Sequence, residues 1–451
     1  MNAAKIAIIG GGPGGLMTAY LLNQQSQQRC EITLFEAGHR LGGKIATGTF
    51  KTAPITYEAG AAELYDYSQT GPDPLAELVS KLGLSRRPMS GRTVILGDAV
   101  LKTDSDIRQQ LGEKTLSAIK DFTRKAKSLI SPAEYYESDW QTDNQDPLAK
   151  QTFAQLLETV PDPLARKYIE VSVHSDLATE PHRTNAVYGL QNYLMNEPGY
   201  MSLYTIDGGI ERLIHELARR VKANIELGRR VTKVERGSGE SLRVHSRHQG
   251  ESRSDEFDFV VTALPNNWIP LIEWGGEKLS RAMNAHHVHY DYPAHYLRVS
   301  VLFERPFWRD QIAESYFMSD AFGGCCIYDE TSRLDGVSFG VLGWLLAGEA
   351  AATWSNMHDS VLIDTMLDSL PASLRHGRAM KLEGVVHRWV GSVNGLPAGF
   401  PAREPDSRHV PEPESHADLF VVGDYLFDST LNGVMDSAGT VAEWIVEEME
   451  D

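Results

Sequence analysis

"KIAIIGGGPGGLMTAYLLNQQ", residues 5–25, decides the fold. Its opening, "KIAIIG", is an isoleucine-rich apolar run closed by glycine, the pattern of a parallel strand buried on both faces. Its end, "GGLMTAYLLNQQ" (residues 14–25), reads as a helix that opens at glycines. Between them Gly10, Gly12 and Gly15 form G-x-G-x-x-G, with Pro13 and Gly14 inside it. Gly10 permits a tight turn, Gly12 lets a pyrophosphate approach the backbone, and Gly15 lets helix and strand pack closely. The N-terminus of the helix adds N–H groups and a positive dipole end for phosphate. "EITLFEA" (31–37) supplies the next strand and puts Glu36 21 residues past Gly15, where a carboxylate accepts hydrogen bonds from adenosine ribose hydroxyls. A mere glycine-rich turn beside a solvated glutamate would not require strand, turn, helix, strand and acid to follow in this order.

The 451 residues suffice for two domains around a large core. Net charge is −18, from 43 Lys and Arg against 61 Asp and Glu, which argues against nucleic acid or an anionic membrane as partner. The chain runs straight from its first residues into the strand, so no signal peptide is expected. No stretch of ~18 uninterrupted apolar residues predicts a transmembrane segment. Cys30, Cys325 and Cys326 show no metal spacing, and the adjacent pair is a poor disulfide candidate. A reducing cytoplasm fits that cysteine usage.

Farther along, residues from about 105 to 175 are helix-rich, and "IERLIHELARRV" (210–221) is an amphipathic helix. "IELGRRVTKVER", "SLRVHSR" and "DFVVTALP" read as strands. "HYLRVSVLFERPFW" (295–308) alternates, "SFGVLGWLLAG" (338–348) and "DLFVVGD" (418–424) read as buried strands, and a helix follows to about residue 449. The proline-rich stretch 395–416 reads as a loop. Nucleotide-type pieces thus sit at both ends and in the middle, with other material interleaved.

The residues after Glu36 sharpen the cofactor. "EAGHRLGGK" sets Arg40 and Lys44 around Gly42 and Gly43. It resembles the E-x-x-x-R-x-G-G-[RK] segment of flavoproteins in the amine oxidase superfamily. That group includes monoamine and polyamine oxidases, L-amino-acid oxidases, phytoene desaturases and protoporphyrinogen oxidases. The two glycines allow close backbone approach, and Arg40 and Lys44 supply positive charge for the pyrophosphate, so the resemblance implies FAD rather than NAD. Three further segments resemble the family. In "DGGIERLIHELARR" through "IELGRRVTKVE", Val231 falls at an expected backbone contact to adenine. "FVVTALP" resembles the strand that leads back to the flavin domain. In "LFVVGDYLFDSTLNGVMDSAGTVAEWI", Gly423 and Asp424 end a strand, and Asn432, Gly433 and Val434 begin a helix beneath the isoalloxazine ring. In "YEAGAAEL" (57–64) the resemblance puts Gly60 and Ala61 under or beside that ring. Residues 387–417 hold no cysteine where some relatives attach flavin, so noncovalent FAD is expected.

"RVSVLFERPFWRD" (298–310) and "LGWLLAGEAAATWSNM" (342–357) lean toward the amine oxidases within that superfamily. Departures from the pattern cluster at the expected catalytic end. Where the family usually has a lysine beside flavin N5, this chain has Arg298. Arginine stays charged and cannot act as a base; it can hold a water, pair with an acid or grip a substrate carboxylate. Thr430 stands where the family has one aromatic of a pair facing the flavin, which leaves Trp389 as the candidate aromatic wall. Tyr188, Tyr193, Tyr200 and Tyr204 are candidates for the substrate cavity, with Tyr204 assigned to the substrate alongside Glu63 and Thr430. His174 and Asp176 are polar candidates, a buried and satisfied histidine being the simpler reading. In many L-amino-acid oxidases the position of Glu63 holds an arginine that grips the α-carboxylate. The inverted charge suggests that Glu63 binds a cationic group or pairs with Arg298.

The expected fold is α/β, a Rossmann-like FAD-binding domain drawn from residues 1–85, 205–285 and 395–451. An α+β substrate domain of mixed sheet plus helices, from 86–204 and 286–394, is interleaved with it. The expected reaction moves hydride from an amine or amino-acid C–N unit to flavin N5, giving an imine and, with oxygen as acceptor, hydrogen peroxide. A desaturase-like or protoporphyrinogen-oxidase-like dehydrogenase acting on a C–C or ring C–N bond is the alternative. The expected partners are a small-molecule substrate and oxygen or another electron acceptor. Oligomeric state is open, a homodimer included.

Overall fold

A continuous apolar strand has to be covered on both faces, and Ala4–Ile9 is. Successive side chains alternate sides. Ile6 and Ile8 join one cluster with Leu16, Met17, Leu213, Ile214, Val441 and Ile445. Ala7 and Ile9 join Phe35, Val234, Val244 and Phe257 in another. The computed structural model describes residues 3–26, 29–137, 147–400, 403–427 and 429–450.

Five parallel strands run side by side in the order Asn224–Leu227, Cys30–Glu36, Ala4–Ile9, Phe259–Thr262 and Leu419–Val421. Helices Pro13–Gln25, Glu211–Arg220 and Leu431–Glu448 supply the cluster on one face. Pro13 sits in the first turn of its helix, where a missing N–H breaks no intrahelical bond. The other face is covered by a four-stranded sheet in the order Glu251–Phe257, Leu242–His248, Arg230–Arg236 and Glu273–Trp274.

The second large element is a seven-stranded mixed sheet. Its order is Lys381–Asn394, Pro293–Phe303, Gly340–Ala347, Cys325–Asp329, Tyr316–Ser319, Val94–Leu96 and Ala99–Leu101. Phe307, Trp308, Leu362 and Met366 join the core on one side of it. On the other, Met318, Cys326 and Tyr328 join a helical layer that includes Glu113–Leu129, Phe153–Glu158, Pro163–Val173 and Ala186–Leu194. A three-stranded sheet of Leu64–Asp66, Ser202–Ile206 and Arg86–Met89 links the two cores. Within it Leu203 belongs to the helical core, and Tyr204 and Ile206 to the nucleotide-side core.

Local differences from expectation have local causes. The strand expected across 295–308 stops at Phe303, and Phe307–Asp310 is a short 3₁₀ turn after Pro306, whose ring removes a ladder donor. The strand Lys381–Asn394 had no clear apolar pattern; its ladder to Pro293–Phe303 makes it. The closing helix starts at Leu431 rather than Asn432, because the Thr430 hydroxyl caps it by accepting from the Gly433 N–H. Within 395–416 the short helix Pro405–His409 interrupts the loop. In the helix-rich stretch, residues 138–146 lie outside the described residues. Among the described residues no helix is long and apolar enough to cross a membrane.

Candidate active site

At the first turn each glycine has its own geometric cause. Gly10 has φ +113°, and a Cβ there would lie 2.4 Å from the Ala263 carbonyl oxygen. A Cβ on Gly15 would lie 2.0 Å from the Gly10 carbonyl oxygen, and one on Gly14 3.1 Å from Val422 Cγ1. Gly12 differs: its Cβ would meet nothing nearer than the Gly43 Cα at 4.0 Å. Protein does not fill the space beside Gly12, as a site for approaching phosphate requires. Gly42 and Gly43, with φ +109° and +52°, bring the second loop up to this space. Glu36 accepts from the Gly11 N–H at 2.8 Å and the Gly38 N–H at 2.6 Å. A carboxylate has about four acceptor positions, so Glu36 retains capacity for ribose hydroxyls.

The two basic residues divide. Arg40 donates to the Leu41 and Ile45 carbonyls at 3.0 Å and to the Gly43 carbonyl at 2.6 Å, so its guanidinium braces its own loop. The expected phosphate charge therefore falls to Lys44, which pairs with Asp424 and donates to the Ser392 carbonyl at 3.0 Å. Gly423 donates to the Ser437 hydroxyl at 3.2 Å. Val434 is packed by Gly14 at the base of the first turn. Asn432 reaches the Tyr65 carbonyl at 3.4 Å and Asp73 at 3.3 Å, and its own carbonyl oxygen is buried without a partner. Val231 is buried beside a slip in strand pairing between Val231 and Lys233. Gly60 corrects an expectation: a Cβ there would lie 1.9 Å from the Lys44 carbonyl oxygen, so protein backbone already demands the glycine. Ala61 donates to that same oxygen at 3.3 Å.

A cavity with about 390 Å³ of empty space, part of it open to solvent, is lined by Glu63, Asp176, Tyr65, Tyr188 and Tyr296. Ser429 and Thr430, at the N-terminus of the closing helix, line it too, together with Ala178, Leu345 and Val393. Sequence reasoning missed Tyr65 and Tyr296. Tyr204 does not belong here. It is 3% exposed, sits under Arg86 at 5.4 Å in the nucleotide-side core, and its hydroxyl has no partner. Tyr193 bonds Thr123 and Tyr200 donates to the Ile130 carbonyl, so of the four candidate tyrosines only Tyr188 lines the cavity. Trp389 stands opposite Tyr296 in the strand register but outside the lining. Its indole N–H donates to the Ala59 carbonyl at 2.6 Å, which fixes the small-residue stretch rather than forming a wall. His174 is satisfied by the Gly324 carbonyl at 3.0 Å and Glu180 at 2.9 Å.

Arg298 is 1% exposed and pairs with Glu330, not with Glu63. Arg333 binds Glu330 at 3.0 Å and Glu58 at 2.5 Å, which closes a buried group of four alternating charges. Glu58 is further satisfied by the Ile210 N–H at 2.9 Å and the Thr47 hydroxyl at 2.8 Å. Burial opposes ionisation of Glu330, but Arg298 and Arg333 hold its carboxyl below the usual range. The Arg298 guanidinium also lies 4.8 Å from the Tyr328 ring centre. At the cavity, burial raises the Glu63 carboxyl, while the Tyr328 hydroxyl and Arg298 pull it back down. Burial drives Asp176 well above the ordinary aspartate range, Glu63 adds to the rise, and the Ser175 hydroxyl opposes it. The result is a polar, acidic pocket beside a helix N-terminus, walled by tyrosines and without a Lys or Arg in its lining.

The sequence model of the flavin containing amine oxidoreductase family matches residues 13–446. The flavin-dependent L-tryptophan oxidase of Lentzea aerocolonigenes is 23% identical over 337 residues, 68% of this chain and 67% of that protein. The prenylcysteine oxidase 1-like protein of Mus musculus is 37% identical over 94 residues, which covers 21% of this chain and 18% of the relative's length. Among solved structures, cyclohexylamine oxidase from Brevibacterium oxydans IH-35A matches with a TM-score of 0.77 at 19% identity, over 100% of both chains. A putrescine oxidase bound to putrescine gives 0.74 at 16% identity over 99% of each chain. At such identities the solved structures establish the mixed α/β fold, and the family model does the rest. The chain belongs to the flavin-containing amine oxidoreductase family.

Proposed function

We propose that this protein holds FAD noncovalently and oxidises the C–N bond of a small amine that arrives as a cation. The observation that carries the proposal is the cavity, which has two carboxylates and no Lys or Arg in its lining. Gly12, Glu36, Lys44, Asp424 and the first turn of the closing helix are the residues that would hold the cofactor. Bound FAD supplies the hydride acceptor. The chain's own work is binding and exclusion. Glu63 attracts the ammonium group, Tyr65, Tyr188 and Tyr296 pack the organic part, and a closed pocket excludes water that would compete. The amine must lose its proton before hydride can leave its α-carbon; the imine product then hydrolyses to a carbonyl compound. Oxygen as final acceptor would yield hydrogen peroxide. All three cysteines are free thiols, which fits a cytoplasmic site of action.

The named relatives act on cyclohexylamine, putrescine and L-tryptophan. An α-carboxylate in this pocket would face Glu63 and Asp176, so the amines are the better guide. The test is anaerobic mixing of the purified yellow protein with cyclohexylamine, putrescine and L-tryptophan. Amines should bleach the flavin, and readmitted oxygen should restore its colour with release of peroxide. Bleaching by polyenes or porphyrinogens alone, or by nothing offered, would overturn the proposal.

A further inference from the structure

Two acids share the cavity, but their surroundings are unequal. Glu63 has help: the Tyr328 hydroxyl and the Arg298 guanidinium both favour its charged form. Those two are braced together, the guanidinium 4.8 Å from the ring centre. Asp176 has only the Ser175 hydroxyl, at 3.3 Å, while Glu63 works against its ionisation. No other neighbour alters the balance of charge. Burial keeps the hydroxyls of Tyr65, Tyr296, Tyr316 and Tyr328 and the thiol of Cys326 in their neutral forms. His174, two residues before Asp176, turns its ring to Gly324 and Glu180 instead. Behind Tyr328, the charges of Arg298, Glu330, Arg333 and Glu58 cancel. Two ionised carboxylates in one pocket repel, and the proton stays on the acid with less support.

We propose that Glu63 carries the cavity's single negative charge while Asp176 stands beside it as a neutral acid, so that the site selects a monocationic amine over a dication or a zwitterionic amino acid. Its meaning for specificity rests on the amine-oxidising reading above; the division of charge does not. Asp176→Asn then mimics the working form, whereas Glu63→Gln removes the anchor. Tyr328 and Arg298 are positioning residues that act through Glu63. A diamine held as a dication forces Asp176 to ionise and so releases one proton.

Calorimetric titration of the holoenzyme with tert-butylamine tests this, because an amine without an α-hydrogen binds but cannot be oxidised. Near neutral pH, the wild type should bind it with no net proton release, Asp176→Asn should stay within about threefold, and Glu63→Gln should lose more than about tenfold. In two buffers of different ionisation enthalpy, 2,5-dimethylhexane-2,5-diamine should bind more weakly and release one proton. That proton count needs only the wild type, so it stands even where a variant fails to fold. Equal losses in the two variants, proton release on monoamine binding, or no binding by the wild type would each overturn the inference. The amine-oxidising reading fails separately, when tert-butylamine binds as expected but no amine with an α-hydrogen bleaches the flavin.

Discussion

Glu36 at the nucleotide turn and Glu63 at the cavity are both glutamates at functional ends of the same protein, yet they are held in opposite ways. Glu36 is fixed by backbone N–H groups of Gly11 and Gly38, on the strand's own turn and loop. Glu63 depends on Tyr328, Arg298 and Asp176, which arrive from separate strands and a helix end far along the chain. The first arrangement is local geometry, tolerant of what lies elsewhere. The second is an electrostatic balance, and any partner can tip it.

Breaking the charged group behind the cavity should give the largest effect. Arg298→Met leaves Glu330 and Arg333 with an unmatched buried charge and should remove roughly 3–5 kcal/mol of stability, read by urea denaturation. A loss below about 1 kcal/mol would show that the group behaves like a surface pair. At the other end, Gly12→Val should weaken FAD binding about 100-fold, near 2.7 kcal/mol, with little change in apoprotein stability, because its Cβ has room. Fluorescence titration of apoprotein with FAD checks it. Gly60→Ala should cost about 1–3 kcal/mol in apoprotein and holoprotein alike, since the clash is with Lys44 backbone. If denaturation finds the cost only in the holoprotein, the flavin and not the backbone demands that glycine.

A smaller effect concerns pH. The folded pKa of Asp176 is raised above its unfolded value, so the stability linked to its protonated form is present at low pH and lost as pH rises through the folded pKa. That loss falls above the ordinary carboxylate range. Thermal melts across it should decline for the wild type and flatten for Asp176→Asn. Smallest is Tyr204→Phe, which removes an unpartnered buried hydroxyl and should change stability by less than about 1 kcal/mol and leave kcat/KM for the amine unchanged.

The same contrast explains what could be read in advance. Gly10, Gly12, Gly15 and Glu36 were legible because one turn and its flanking strands impose their spacing. Arg298 was legible as a departure, but its partner was not. Glu330 reaches it across the sheet where Gly343 leaves room, a Cβ there lying 2.7 Å from Glu330 Oε1. The acid and base of "ETSR", Glu330 and Arg333, were the one local hint of that group. Tyr204 was misassigned because a cluster of tyrosines does not reveal strand parity; alternation sends Leu203 to one core and Tyr204 to the other. Arg40 failed for a related reason, since a charge beside two glycines serves the loop or the ligand equally well on paper.

The five-stranded parallel sheet also sets a schedule. Its strands come from residue 4 to residue 421, and Leu419–Val421 pairs beside Phe259–Thr262. During synthesis the first turn, with its glycines complete, waits beside an open strand edge until nearly the whole sequence has emerged. Such long-range closure is slow and exposes an edge to wrong pairing. The newborn protein is therefore a client for chaperones before it can be a holder of flavin, and its yield should depend on how fast the ribosome delivers that late strand.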